Sequence, residues 1–320
     1  MLPMRAYCKR QYEVATELFV GQWMRVKRNV KGGVVKPCIC VDLVNAQEVG
    51  GFSDVLAGYM SGSLFEAGSE TTASELIGFM QALVLFPEAQ RKAQAELDRV
   101  IGPDRLPTME DEFDLQYIRG CVKETMRWMS TAITSVPHAV TRDDWYEGYL
   151  IPKGAGVIAN NWTIHMDPQR HANPRTFDPS RYANDFQTAR EATSNPDVSK
   201  RDHFTFGTGR RVCQGMHIAE RSLFLAMSRI LWAFNVQPAL NEDGEHLMPD
   251  PDNLTGGLMV HPQPFPAKIT PRSEKHAAII REQWAKCLPL LDEKLQWKEV
   301  PAGMKFSTYD AKKQVASEFD

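Results

Sequence analysis

A mainly α fold with small β-sheets is the class that this 320-residue sequence predicts. Three observations carry it. Apolar residues recur at helical spacing over several long stretches, one apolar segment runs without proline from Ser53 to Pro87, and strand-like runs are short and broken by Asp, Gly and Pro. With 43% hydrophobic and 24% charged residues the composition is that of a globular protein, which excludes disorder, collagen and a disulfide scaffold. Lys and Arg number 37 against 40 Asp and Glu, a net charge of −3. No basic block interrupts that balance, so a dedicated nucleic-acid binder is excluded as well.

Taken in order, residues 9–31 alternate basic and apolar groups with helical spacing and meet Gly32-Gly33, as an amphipathic surface helix followed by a loop would. The helix expected after Ser53, a suitable N-cap, is apolar on nearly every face and is expected to run through the middle of a large domain. Glu66, Glu70 and Glu75 lie within it, so it is not a membrane span. Pro87-Glu88 opens a further helix that closes at Gly102, and another runs from about Asp114 through LQYIRGCVKETMRWM. Short strands are expected between 137 and 160 (HAVT, YLIP, GVIAN), and a loop over 166–201. A helix follows Gly215, short strands and turns follow Pro249, and a charged helix is expected near 273–295. The six cysteines read as reduced thiols of an intracellular compartment, since the charged N-terminal stretch is no secretory signal.

The most informative stretch is Phe206-Gly207-Thr208-Gly209-Arg210-Arg211-Val212-Cys213-Gln214-Gly215, directly before a helix. Its glycines permit a tight loop, and amide N–H groups at a helix start favour a thiolate at Cys213, which is a metal ligand or a nucleophile. Arg211 can pair with an anion beside the sulfur and Phe206 can cover it. This decapeptide resembles the F-x-x-G-x-R-x-C-x-G haem loop of the cytochrome P450 family; the competing reading is a buried cysteine in a glycine-rich turn. Glu124-Thr125-Met126-Arg127 resembles the family's E-x-x-R, and Phe177-Asp178-Pro179-Ser180-Arg181-Tyr182 supplies its third member, Arg181. By that resemblance Glu124, Arg127 and Arg181 lock the haem loop without taking part in chemistry. Ala67-Gly68-Ser69-Glu70-Thr71-Thr72 is similar to the oxygen-activation motif A-G-x-[D/E]-T-T, which makes Glu70 and Thr71 a proton relay. Otherwise Thr71 bonds back to its own helix and Glu70 is merely solvated.

The resemblance implies the P450 fold, of which the chain holds the C-terminal catalytic part: a remnant helical region at 1–48, a haem-binding core at 49–272 and an extension at 273–320. It implies haem b (iron protoporphyrin IX) with Cys213 as axial ligand, held also by Arg211, Phe206, Gly209 and Gly215. His138 stands where the family often places a residue that contacts a haem propionate, and a satisfied surface or core histidine is the alternative. The implied activity is insertion of one oxygen atom of O2 into an apolar small molecule, in fungal secondary metabolism. Electrons would come from NADPH through cytochrome P450 reductase at the cytosolic face of the endoplasmic reticulum. The family's N-terminal anchor, first β-sheet and W-x-x-x-R helix have no counterpart in the sequence. Two other readings therefore stand beside it: a truncated remnant that cannot hold haem, and a haem-thiolate isomerase or dehydratase. Ala132–Pro137 and Asn253–Leu258 correspond to family segments that face substrate.

Overall fold

The computed structural model describes residues 2–33 and 38–299. The chain divides into two compact units, one from residues up to 69 together with those from 283 onward, the other from 70–282. The end of the expected 273–320 extension, beyond residue 299, lies outside the described residues.

In the first unit, α1 (Leu2–Lys31) packs with α2 (Ile39–Gly50) and with the start of α3 (Asp54–Leu85). Trp23, Val44 and Ala57 form its small core. Asp54 ties the three helices at one point: Trp23 Nε1 donates to Oδ1 at 2.9 Å, Lys27 Nζ at 2.6 Å and Gln47 Nε2 at 3.1 Å. These donors, Lys27 foremost, hold the Asp54 carboxyl at about 2. α1 begins earlier than the spacing predicts, because Pro3 is tolerated in a first helical turn. α2 is unforeseen in the sequence. It ends on Gly51, whose left-handed φ of 62° lets its N–H reach Gln47 O at 2.9 Å.

In the second unit α3 continues to Leu85, and α4 (Pro87–Val100), α5 (Gln116–Trp128) and α8 (Met216–Ala233) enclose the main core. Phe79, Leu83, Leu97, Ile118, Met126 and Trp232 are each essentially inaccessible to solvent. The start of α5 has no side-chain cap of its own. Glu96 of α4 supplies one, accepting the N–H groups of Tyr117 at 2.9 Å and Ile118 at 3.0 Å. A three-stranded antiparallel sheet places β5 (Phe234–Leu240) between β6 (His246–Leu247) and β7 (Ala267–Pro271). Gln90 of α4 clamps Val236 of that strand by both its N–H (2.8 Å) and its carbonyl (3.1 Å). Two-stranded pairs join β1 (His138–Ala139) to β4 (Gly156–Val157) and β2 (Asp144–Tyr146) to β3 (Tyr149–Ile151).

Three expectations are corrected. The central helix α3 is buried at Ala57, Gly58 and Gly62 and again in its later half, while residues 63–70 between are exposed: an all-apolar surface registers affinity for a core without naming the neighbour that covers it. Residues 166–201 are not loop alone, and a short helix that the sequence does not announce precedes them. That helix is α6 (Asn161–His165), started by the Asn160 side chain, and the stretch itself holds α7 (Ala189–Ser194), started by a reciprocal capping box between Thr188 and Glu191. Helices this short carry too little periodicity to read. The charged helix near 273–295 is α9 (Glu274–Cys287), which stops before Pro289.

Gly120 of α5 decides how closely the 3-10 turn Pro179–Tyr182 approaches: a methyl group there would stand 2.5 Å from the Pro179 carbonyl oxygen. Gly120→Ala should therefore lower unfolding free energy by about 1–3 kcal/mol, the usual cost of overpacking. Gly21→Ala, in an α1 site with nothing within 4 Å, should not destabilise. Denaturant midpoints of the two variants test this, and equal midpoints would refute the close-approach argument.

Candidate functional site

Helix α5 is where the site begins, because every residue from Ile118 to Trp128 is buried. Glu124 is inaccessible to solvent, and its two oxygens accept from Arg127 Nε at 2.7 Å and Nη2 at 2.8 Å, a bidentate fork. Oε1 also accepts the Asp178 N–H at 2.8 Å and Arg181 Nε at 3.2 Å. Each guanidinium uses its remaining donors on loop carbonyls: Arg127 on His165 (2.9 Å) and Thr176 (3.3 Å), Arg181 on Asn173 (3.0 Å). The three residues that the motifs nominate thus form one closed cluster.

The neighbouring residues of α5 hold the start of the glycine-rich loop. Lys123 Nζ lies 2.9 Å from Asp185 Oδ2 and 3.2 Å from Asp202 Oδ2. Burial pushes the Asp185 carboxyl up, but the Lys123 ammonium outweighs it and holds it below its ordinary value. Thr205 Oγ1 donates to Met126 O at 2.6 Å and lies 2.9 Å from Ser130 Oγ. The Phe204 N–H donates to His165 Nε2 at 2.8 Å. Burial, then the His203 ring and the Arg127 charge, push the His165 pKa well below its ordinary value, so the ring is neutral and able to accept.

Beyond that anchorage the loop turns on Gly207 and Gly209, at left-handed φ of 73° and 69°. The Cys213 N–H donates to Phe206 O at 2.9 Å, and α8 starts three residues later. Cys213 is a free, exposed thiol; a Cβ on Gly215 would lie 4.0 Å from its sulfur. Phe206 is half-buried, 5.4 Å from the His203 ring, and Arg211 is exposed. The remaining nominated residues stand on other elements. Glu70 is exposed and Thr71 half-buried on α3, where a Cβ at Gly68 would meet open space. His138 is exposed on β1, opposite Val157.

His165, Lys123 and Gly120 are absent from the sequence reading. Asn160 as an N-cap is the one local cue to α6 and so to His165. A lysine within a helix, or a glycine against a distant carbonyl, gives no local signal, since the partners lie about 60 to 80 residues away.

With this geometry described, comparison with known proteins defines the class. A family model described as Cytochrome P450 matches residues 42–269, and the chain belongs to the cytochrome P450 family. It is similar to Cytochrome P450 monooxygenase fsoB of Humicola fuscoatra, 52% identical over 309 residues that cover 96% of this chain and 57% of that protein. It is also similar to Cytochrome P450 monooxygenase virE of Hypocrea virens, 50% identical over 311 residues, 97% of this chain and 56% of that one. A zebra fish cytochrome P450 structure with progesterone aligns with a TM-score of 0.66 at 27% identity, covering 81% of this chain and 58% of the other. The chain therefore spans little more than half the length of the curated relatives it matches. No helix among the described residues is long and apolar enough to cross a membrane.

Glu124→Gln should cost about 3–5 kcal/mol of unfolding free energy, because it leaves two guanidiniums without their buried counter-charge. Arg181→Lys should cost less, since the Arg181 side chain retains 15% exposure. Chemical denaturation of both variants checks the order, and a Glu124→Gln cost below that of Arg181→Lys would contradict it.

Proposed function

We propose that this protein works as a haem-dependent monooxygenase that places one oxygen atom of O2 into an apolar small molecule of secondary metabolism. The observation that carries the proposal is Cys213: a free, exposed thiol in a loop of left-handed glycines, between a buried ionic lock and the N-terminus of α8. The donor set fits a haem. Among the described residues no group of three or more His, Cys, Asp or Glu side chains could hold a metal ion, so no multi-ligand metal cluster competes with a haem-ligand role for Cys213. Family membership, and relatives named as monooxygenases, support the same reading.

In this reading Cys213, three residues before α8 begins, would ligate the iron as thiolate. Haem b, when bound, would supply the oxygen chemistry. Arg211 and His138, both exposed, pair with the propionates. Phe206 packs beside the sulfur, and Gly209 and Gly215 leave the ring room. The Glu124, Arg127 and Arg181 cluster keeps the loop in place and stays out of the reaction. Glu70, exposed on α3, exchanges protons with water, and half-buried Thr71 passes them inward. Residues 132–137 and 253–258, apolar or small, line the substrate side. Electrons come from NADPH through cytochrome P450 reductase at the cytosolic face of the endoplasmic reticulum.

The haem-loaded protein, reduced under carbon monoxide, should show the red-shifted Soret band of thiolate ligation, and Cys213→Ala should lack it. A folded, haem-loaded wild type without that band would end the proposal. Thr71→Ala should keep the band yet consume NADPH with less product per equivalent. Unchanged coupling would remove Thr71 from the relay.

A further inference from the structure

Glu75 belongs to none of the motifs, yet it stands one turn beyond Thr71 on α3. The residue is 4% exposed. Oε1 accepts the Thr131 N–H at 2.9 Å, while Oε2 is buried with no hydrogen-bond partner. Burial pushes its carboxyl up to about 8, with the Thr131 N–H pulling weakly the other way, so it is mainly neutral at pH 7. A half-satisfied buried acid is costly beside a leucine. What it holds is visible: Thr131 Oγ1 donates to Val260 O at 2.8 Å and the Val260 N–H donates to Thr131 O at 2.9 Å. One carboxyl thus starts a chain of hydrogen bonds from the helix bearing Thr71 to Thr131 and Val260, which flank the segments 132–137 and 253–258. Gln81, further along α3, separately holds Asp250 O at 3.1 Å and fixes where the second segment begins.

We infer that Glu75 is a positioning residue: through Thr131 it sets the distance between α3 and the two segments of the substrate-side wall, and so selects which shapes enter. The word substrate rests on the monooxygenase reading above, whereas the clasp itself does not. Glu75→Gln keeps an acceptor for Thr131, and Glu75→Leu fills the same space without one. In amide hydrogen exchange on the whole chain, Glu75→Leu should speed Thr131 and Val260 by about fivefold to tenfold, as loss of one net hydrogen bond implies, and Glu75→Gln should restore wild-type rates. In the haem-loaded protein, affinities for imidazole and for the bulkier 4-phenylimidazole, read from the Soret shift, should change in ratio by a similar factor in Glu75→Leu and not in Glu75→Gln. Unchanged exchange in Glu75→Leu overturns the clasp. Faster exchange with an unchanged ligand ratio overturns its role in selection. Absence of a thiolate-haem spectrum in the wild type would instead fail the monooxygenase reading, with the exchange result still deciding on Glu75.

Discussion

A single carboxylate, Glu124, sits in the interior between two guanidiniums, and the irregular part of the molecule is organised around it. Taking one carboxylate and two arginines out of water is expensive, and mutual attraction offsets that cost only when every lone pair and N–H finds a partner. Here the fork to Arg127, the approach of Arg181 and the Asp178 N–H use the carboxylate, and the carbonyls of His165, Thr176 and Asn173 use the leftover donors. Those partners come from residues 165–181, a stretch with little regular backbone pairing of its own. Its conformation is therefore set by charge satisfaction more than by helix or sheet.

Helix α5 extends the same logic along its length. Lys123 reaches Asp185 and Asp202, Met126 O receives Thr205, and Trp128 Nε1 donates to Arg175 O at 2.8 Å. Successive residues thus hold different loops, which is why the helix is buried all round, and its one glycine stands where Pro179 presses against it. The ion pairs that matter are those shielded from water; exposed ones such as Lys9 with Glu13 contribute little. Neutral His165 links this scaffold to the glycine-rich loop without adding a further buried charge.

What could be read in advance follows from range. Helices α3, α4, α5 and α8 announce themselves through period, caps and prolines, and residues 206–215 and 124–127 through spacing at fixed offsets. The ionic cluster was anticipated as well, since a motif supplies Arg181 from afar. His165, Gly120 and Glu75 were not, because each matters through one partner distant in sequence, and a histidine, glycine or glutamate reads the same whether satisfied or exposed. For Glu75 the surrounding helix even pointed the other way, as one of three acids that only argued against a membrane span. The exposure of residues 63–70 has the same origin: apolarity records a preference for burial and names no partner.

The central claim is that the scaffold presents Cys213 to a haem iron. X-ray absorption at the iron edge of the haem-loaded protein tests it most directly. One sulfur neighbour in the wild type, absent in Cys213→Ser, is the predicted result; a wild-type shell of nitrogen and oxygen alone would contradict the account.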